Sequence, residues 1–149
     1  MPGVTFDTST FIAYKPAELP AGFRMSAVVL MEMTAGMKDE SGVKAMERYR
    51  KLAEKEGSLL VPTGEDWWLA GKVLNALQRG RSSRRTGRIP SMPAAEIQRI
   101  TRDVLIARTV RRVGALLVTE NVADFERIRR FCHVRVVSGE AYFGKLPGS

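Results

Sequence analysis

The chain has 149 residues, 44% of them hydrophobic, which suits one sizeable core rather than two, so a single domain over 1–149 is expected. No apolar run nears the roughly 18 residues of a membrane span, and residues 1–7 lack a basic and then apolar leader, so the expected location is cytoplasmic. The net charge of +8 lies wholly in residues 79–112, where ten arginines face two acids, Glu96 and Asp103, while the remainder balances at fourteen basic and fourteen acidic residues. Such a block marks a phosphate-rich partner or a solvated loop. Its being all arginine rather than lysine favours forked contacts with phosphate, as in RNA.

Val4-Thr5-Phe6 is a short β-prone run ending in Asp7-Thr8-Ser9-Thr10, after which Phe11-Ile12-Ala13-Tyr14 starts an apolar helical turn stopped near Pro16. A second short strand over 22–26 leads to Ser26 as the N-cap of a helix over 27–36, with Gly36 as its stop. Residues 44–55 place Ala45, Met46, Tyr49, Leu52 and Ala53 on one helical face, and Gly57 ends that helix. Leu59-Leu60-Val61-Pro62 has the length of a buried strand, and Thr63 with an acid three residues on opens a helix to about Gln78. Trp67, Trp68, Ala70, Val73, Leu74 and Leu77 form its apolar stripe, the tryptophans being read as core and interface. Residues 80–93 read as a loop.

From Ala94 the apolar Ile97, Ile100, Val104, Ala107 and Val110 recur every three or four residues, with arginines on the other faces, in one long amphipathic helix closed by Gly114. Residues 115–118 read as a buried strand, 121–130 as a helix opened by Asn121, and 134–137 as a last strand. Cys132, the lone cysteine, excludes an internal disulfide and reads as a small buried filler; the lone His133 reads as structural. Strands separated throughout by helices imply a three-layer α/β/α sandwich around a central parallel sheet of four to five strands. In such sheets ligands bind beyond the carboxyl ends of the strands, where the chain leaves each strand.

Acids fall at those ends. Asp7 follows the first strand, Asp124 lies five residues beyond Thr119, Glu32 is one and a half turns into the helix after Ser26, and Asp103 precedes the apolar Val104-Leu105-Ile106-Ala107. Taken singly, Asp7 also suits a helix cap, Asp124 a first-turn acid, and Asp103 a partner for Arg99. Glu32 is less easily explained, because Val28, Val29, Leu30, Met31 and Met33 surround it and a buried unpaired carboxylate is costly, so something positive should meet it. Hard oxygen donors without histidine or cysteine suit Mg²⁺ or Mn²⁺.

Phe6-Asp7-Thr8-Ser9, Ser26 with Glu32 six positions on, Arg102-Asp103-Val104-Leu105-Ile106-Ala107, and Thr119-Glu120-Asn121-Val122-Ala123-Asp124-Phe125 follow one another in an order and spacing that resemble a PIN domain. The resemblance covers nearly the whole chain and is strongest to the VapC-type toxins of toxin-antitoxin pairs. It implies a PIN-like fold and a metal-dependent endoribonuclease in which Asp7, Glu32, Asp103 and Asp124 are the catalytic and metal-binding acids. Thr8, Ser9, Ser26, Thr119 and Asn121 match the supporting positions. A protein antitoxin and a homodimer are the partners it implies, with Arg81, Arg84, Arg85, Arg88 and Arg102 of the basic block directing RNA. Asp7 and Glu32 are 25 positions apart, shorter than in most such toxins, and Asn121 stands where some relatives carry another acid. The alternatives are a nuclease of the same fold in RNA processing without an antitoxin, and an RNA-binding module without catalysis.

Overall fold

The computed structural model describes residues 3–79 and 92–149. Strand β1 (Val4–Phe6) lies parallel to β4 (Leu116–Val118), with Thr5 opposite Leu117 and Phe6 opposite Val118, and β4 lies parallel to β5 (Arg135–Val137). Strands β2 (Met25–Ser26) and β3 (Leu59–Leu60) form a second parallel pair. A bridge between Thr5 and Arg24 joins the two ribbons, and the Arg24 N–H donates to the Val4 carbonyl at 2.8 Å. The strand order is therefore β3-β2-β1-β4-β5, and the direction of winding reverses between β1 and β4. A crevice opens where the winding reverses, and this sheet places it beyond Phe6 and Val118.

Helix α5 (Ala94–Val113) runs through the main core. Its Val104 and Val110 pack with Val29 of α2 (Ala27–Ala35), Ala70, Val73 and Leu77 of α4 (Gly64–Arg79), Leu117 of β4, and Phe125 and Ile128 of α6 (Val122–Arg129). Gly114 ends α5 at φ 68°, a left-handed conformation in which a side chain would be strained. Phe6, turned away from that core, meets Phe11 of α1 (Thr8–Ala13), Phe23, and Tyr142 and Phe143 of α7 (Gly139–Phe143) at centroid distances of 5.6 to 6.1 Å. Helix α3 (Glu40–Glu56) sets Met46 and Ala53 against Met25 and Leu30. The result is the three-layer sandwich around a parallel sheet that the alternation of strands and helices predicts, with five strands among the described residues.

Three expectations need correction. Trp67 and Trp68 are not core: they are 57% and 70% exposed, because the inward stripe of α4 runs through Asp66, Ala70, Val73 and Leu77, leaving both tryptophans off that line. Helix α3 begins four residues before the expected start, at Glu40, because the Asp39 carboxylate caps it by accepting the Gly42 N–H at 2.9 Å. Helix α7 was not expected at all. Ser138 caps it and Gly144 closes it, but five residues are too few to form a helix unaided, and the packing of Tyr142 and Phe143 on Phe6 holds it. Cys132 is buried, as expected, and His133 is exposed.

Asp66 forms a buried ionic cluster between α4 and α5. The side chain accepts the Thr63 N–H at 2.9 Å while Thr63 Oγ1 accepts the Asp66 N–H at 3.1 Å, a reciprocal cap at the start of α4. Arg112 Nε donates to Asp66 Oδ2 at 3.0 Å and its Nη2 donates to the Val61 carbonyl at 2.9 Å, with Arg108 Nε 3.9 Å from Oδ1. Burial alone would push the Asp66 carboxyl up, but the Thr63 N–H and the Arg112 guanidinium outweigh it and hold the group below the usual carboxylate range. Two arginines of the basic block are thus committed to an internal acid.

Candidate active site

The four acids come from different elements, and the charges of Asp7, Glu32 and Asp124 are all felt at Asp103. Asp7 follows β1 directly and caps α1, its carboxylate accepting the Ser9 N–H at 2.7 Å and the Ser9 hydroxyl through Oδ1. Thr119, the residue after β4, donates its hydroxyl to Asp7 Oδ2 at 2.6 Å and accepts the Asn121 N–H at 2.9 Å. The two strand ends flanking the reversal are therefore tied through one carboxylate, which is 4% exposed and oriented on both oxygens.

Glu32 projects from the second turn of α2, a helix started by Ser26, whose Oγ accepts the Val29 N–H at 3.3 Å. The positive partner that its apolar neighbours call for is Arg102, with Nε 3.4 Å from Oε2. Burial pushes the Glu32 carboxyl up, the Arg102 charge partly offsets this, and the nearby Asp7 adds to the rise. Asp124 lies in the first turn of α6, where the helix dipole favours an acid, and Arg99 Nη1 donates to its Oδ2 at 3.0 Å. Arg99 thus pairs with Asp124 rather than with Asp103.

Asp103 differs from the other three. It is 8% exposed on α5, and no hydrogen bond or ion pair reaches its carboxylate from the described residues. Burial, then the negative charges of Asp7, Asp124 and Glu32, push its carboxyl up to about 7, with only Arg99 acting the other way. Asp103 is therefore near enough to feel the other three acids, and Glu32 to feel Asp7. They do not yet form a closed shell: among the described residues no three histidine, cysteine or acidic side chains converge as ligands of one ion.

The donor set fits a hard divalent cation. It consists of carboxylates from four elements with no histidine or cysteine among them, and one carboxylate is desolvated without a counter-charge of its own. Thr8 Oγ1, beside Asp7, is also buried without a hydrogen-bond partner.

Of the supporting positions read from the sequence, Ser9 and Thr119 orient Asp7 directly. Ser26 caps α2, and Asn121 is exposed, contributing its backbone: its N–H donates to Thr119 Oγ1 and its carbonyl accepts the Asp124 N–H at 3.1 Å. Arg102 sits on Glu32, while Arg81, Arg84, Arg85 and Arg88 lie outside the described residues. Sequence reasoning missed the Arg99–Asp124 pair, whose members are 25 positions apart. The available signal was Arg99 standing one helical turn before Asp103, on the same face.

Beside the acids runs an apolar groove of about 430 Å³ between α2, α4 and α5, walled by Val28, Met31, Pro62, Trp67, Ile97 and Leu105 and reaching Arg102. Among the described residues no helix is long and apolar enough to cross a membrane.

No family model matches the chain, and no curated protein matches it. Among solved structures it is similar to a chain of FitAB bound to an IR36 DNA fragment, at 15% identity and TM-score 0.57 over 91% of this chain and 94% of that one. It is also similar to a chain of DNA-bound VapBC from Salmonella typhimurium, at 23% identity and TM-score 0.56 over 93% and 98%. A third is VapBC-1 from nontypeable Haemophilus influenzae, at 21% identity and TM-score 0.56 over 97% and 100%. At these identities the likeness is one of architecture, and the chain shares with those FitAB and VapBC chains the PIN-like α/β/α fold that its motifs imply.

Proposed function

We propose that the chain is a divalent-metal-dependent endoribonuclease and the toxin of a toxin-antitoxin pair, with Asp7, Glu32, Asp103 and Asp124 as its metal-binding acids. The observation that carries this reading is Asp103, a buried carboxylate near three others that no hydrogen bond or ion pair reaches from the described residues, with a pKa raised to about 7 despite the charge of Arg99. A protein that needed this residue only for folding would lose nothing by replacing it with a neutral one. When bound, Mg²⁺ or Mn²⁺ supplies Lewis acidity that lowers the pKa of water for in-line attack on a phosphodiester and offsets charge on the leaving oxygen.

The chain's own groups do the rest. Ser9 and Thr119 fix both oxygens of Asp7, the first residue of the site, so that it presents one orientation. Asp103 and Glu32, both held with raised pKa values, gain most from a cation and give the site its affinity for one.

An antitoxin as partner is supported by the VapBC and FitAB complexes, whose chains share this fold. The apolar groove ends at Arg102, the ion-pair partner of Glu32, so an antitoxin segment with apolar side chains, seated there, would lie next to that acid. Trp67→Ser is expected to weaken inhibition by a co-purifying partner at least about tenfold while leaving cleavage by the free protein within about twofold, since an exposed aromatic anchor at an interface costs about 2 kcal/mol or more when removed. Inhibition unchanged by Trp67→Ser would remove the groove as the docking face.

The central test is incubation of the purified protein with RNA and Mg²⁺ or Mn²⁺. Cleavage is expected, lost with EDTA and reduced by about 100-fold or more in Asp7→Asn, a larger effect than the roughly 10–100-fold that loss of an outer partner of a metal ligand costs. Cleavage persisting under both conditions would refute the assignment. RNA bound but never cut, with no divalent ion taken up, would make the chain a binding module.

A further inference from the structure

Arg99 and Arg102 lie on the same helix as Asp103, four and one positions before it, and each reaches an acid of another element. Arg99 Nη1 is 3.0 Å from Asp124 Oδ2, and Arg102 Nε is 3.4 Å from Glu32 Oε2. The Arg102 contact is an ion pair without hydrogen-bond geometry, for that Nε has no hydrogen-bond partner. The arginine side chains are 49% and 36% exposed, so both can swing outward without opening the core.

The geometry points to Arg99 and Arg102 as displaceable counter-charges that hold Asp124 and Glu32 until a divalent cation takes those carboxylates, and that then bind the phosphates of the RNA strand. This rests on the nuclease reading above and adds to it the residues that position the substrate. Three observations converge on it. First, the two arginines occupy two of the four acids while Ser9 and Thr119 occupy Asp7, which accounts for the absence of three convergent ligands among the described residues. Second, a part-exposed ion pair is worth little, so a divalent ion facing four carboxylates displaces both guanidinium groups readily. Third, a released guanidinium is a planar fork that matches phosphate oxygens, and α5 holds both forks within one turn of Asp103. Arg108 and Arg112, further along α5, are unavailable for this because Asp66 holds them.

The test compares the full chain with Arg99→Gln, Arg102→Gln and the double variant, using two probes. Calorimetric titration with Mn²⁺ is expected to show roughly threefold to tenfold tighter binding in the double variant, because the internal competitors are gone. Fluorescence anisotropy with an uncleavable 2′-O-methylated oligoribonucleotide in Mg²⁺ is expected to show at least about tenfold weaker binding. Paired lysine substitutions, which keep the charge and lose the fork, should bind Mn²⁺ as the unaltered protein does and recover RNA only partly. Mn²⁺ affinity unchanged or weakened in the double glutamine variant would overturn the proposal while leaving the nuclease reading intact. RNA affinity unchanged would overturn the phosphate role. An unaltered protein that takes up no Mn²⁺ would remove the nuclease reading and this one together.

Discussion

Asp103→Asn is expected to raise the thermal stability of the metal-free protein at pH 8 and at the same time to reduce RNA cleavage by about 100-fold or more. The folded chain keeps a proton on Asp103 up to about pH 7, whereas an ordinary aspartate releases it near 3.8. Between those values the folded state binds more protons than the unfolded state, so stability falls as pH rises from about 4 to about 7 and levels off above. At about 1.4 kcal/mol per pH unit the full penalty is on the order of 4 kcal/mol. Replacing the carboxylate with an isosteric amide removes the charge, so the variant should show a flatter stability profile across that range and a higher midpoint above it. Mg²⁺ or Mn²⁺ should stabilise the unaltered protein at pH 8 and the variant much less. Thermal and urea denaturation at pH 5 and pH 8, with and without Mn²⁺, measure the stability changes, and an RNA cleavage assay the loss of activity; a variant less stable than its parent at pH 8 would contradict the account.

The opposite outcome is expected at Asp66, the second acid buried beside α5. Asp66→Ala should lose about 3–5 kcal/mol, because it strands the part-buried Arg108 and Arg112 guanidinium groups and removes the reciprocal cap with Thr63. The carboxyl is held below its usual range, so the stabilisation it gives is present above the unfolded value and is lost on acidification through the folded one. Chemical denaturation at pH 7 reads the loss directly, and a change below about 1 kcal/mol would show the cluster to be unimportant. Mn²⁺ affinity should stay within about twofold, since none of the four acids in the crevice touches Asp66. Two buried aspartates on neighbouring stretches of chain thus separate by their surroundings. One is capped and hydrogen-bonded through Oδ2 and faces two guanidinium groups, and the other is left for something from outside.

Much of this architecture is legible in the sequence because its signals are local. Asp7, Ser26 and Gly114 mark helix ends through the backbone groups of their immediate neighbours, and Asp7, Glu32 and Asp124 stand at a strand end or in a first or second helical turn, whereas Asp103 lies midway along α5. The apolar setting of Glu32 also announces a cation, and Arg102 supplies it. What escaped reading depends on groups far apart in the chain. Arg108 and Arg112 belong to a charge block that resembles a nucleic-acid contact, and only the close packing of α4 on α5 turns them inward to an acid more than 40 positions earlier. Trp67 and Trp68 look like core by composition, yet the phase of α4 is set by Ala70, Val73 and Leu77. Helix α7 has no periodic signal and forms against Phe6 and Tyr14, which are distant in the chain.

Helix α5 is fastened near its C-terminus and carries at its middle a buried carboxylate unpaired among the described residues. Arg112 and Asp103 are nine residues apart, about 14 Å along a helix, with no partner in common. At that separation the energetic effects of altering the two regions should simply sum. The lock near the C-terminus then works as ballast for the strained carboxylate two and a half turns away: it lets the fold tolerate a local conflict that folding alone would have eliminated. Sequence drift in the lock should therefore first cost the protein its tolerance of alkaline, metal-poor conditions, well before it disturbs the geometry at which a phosphodiester would be cut.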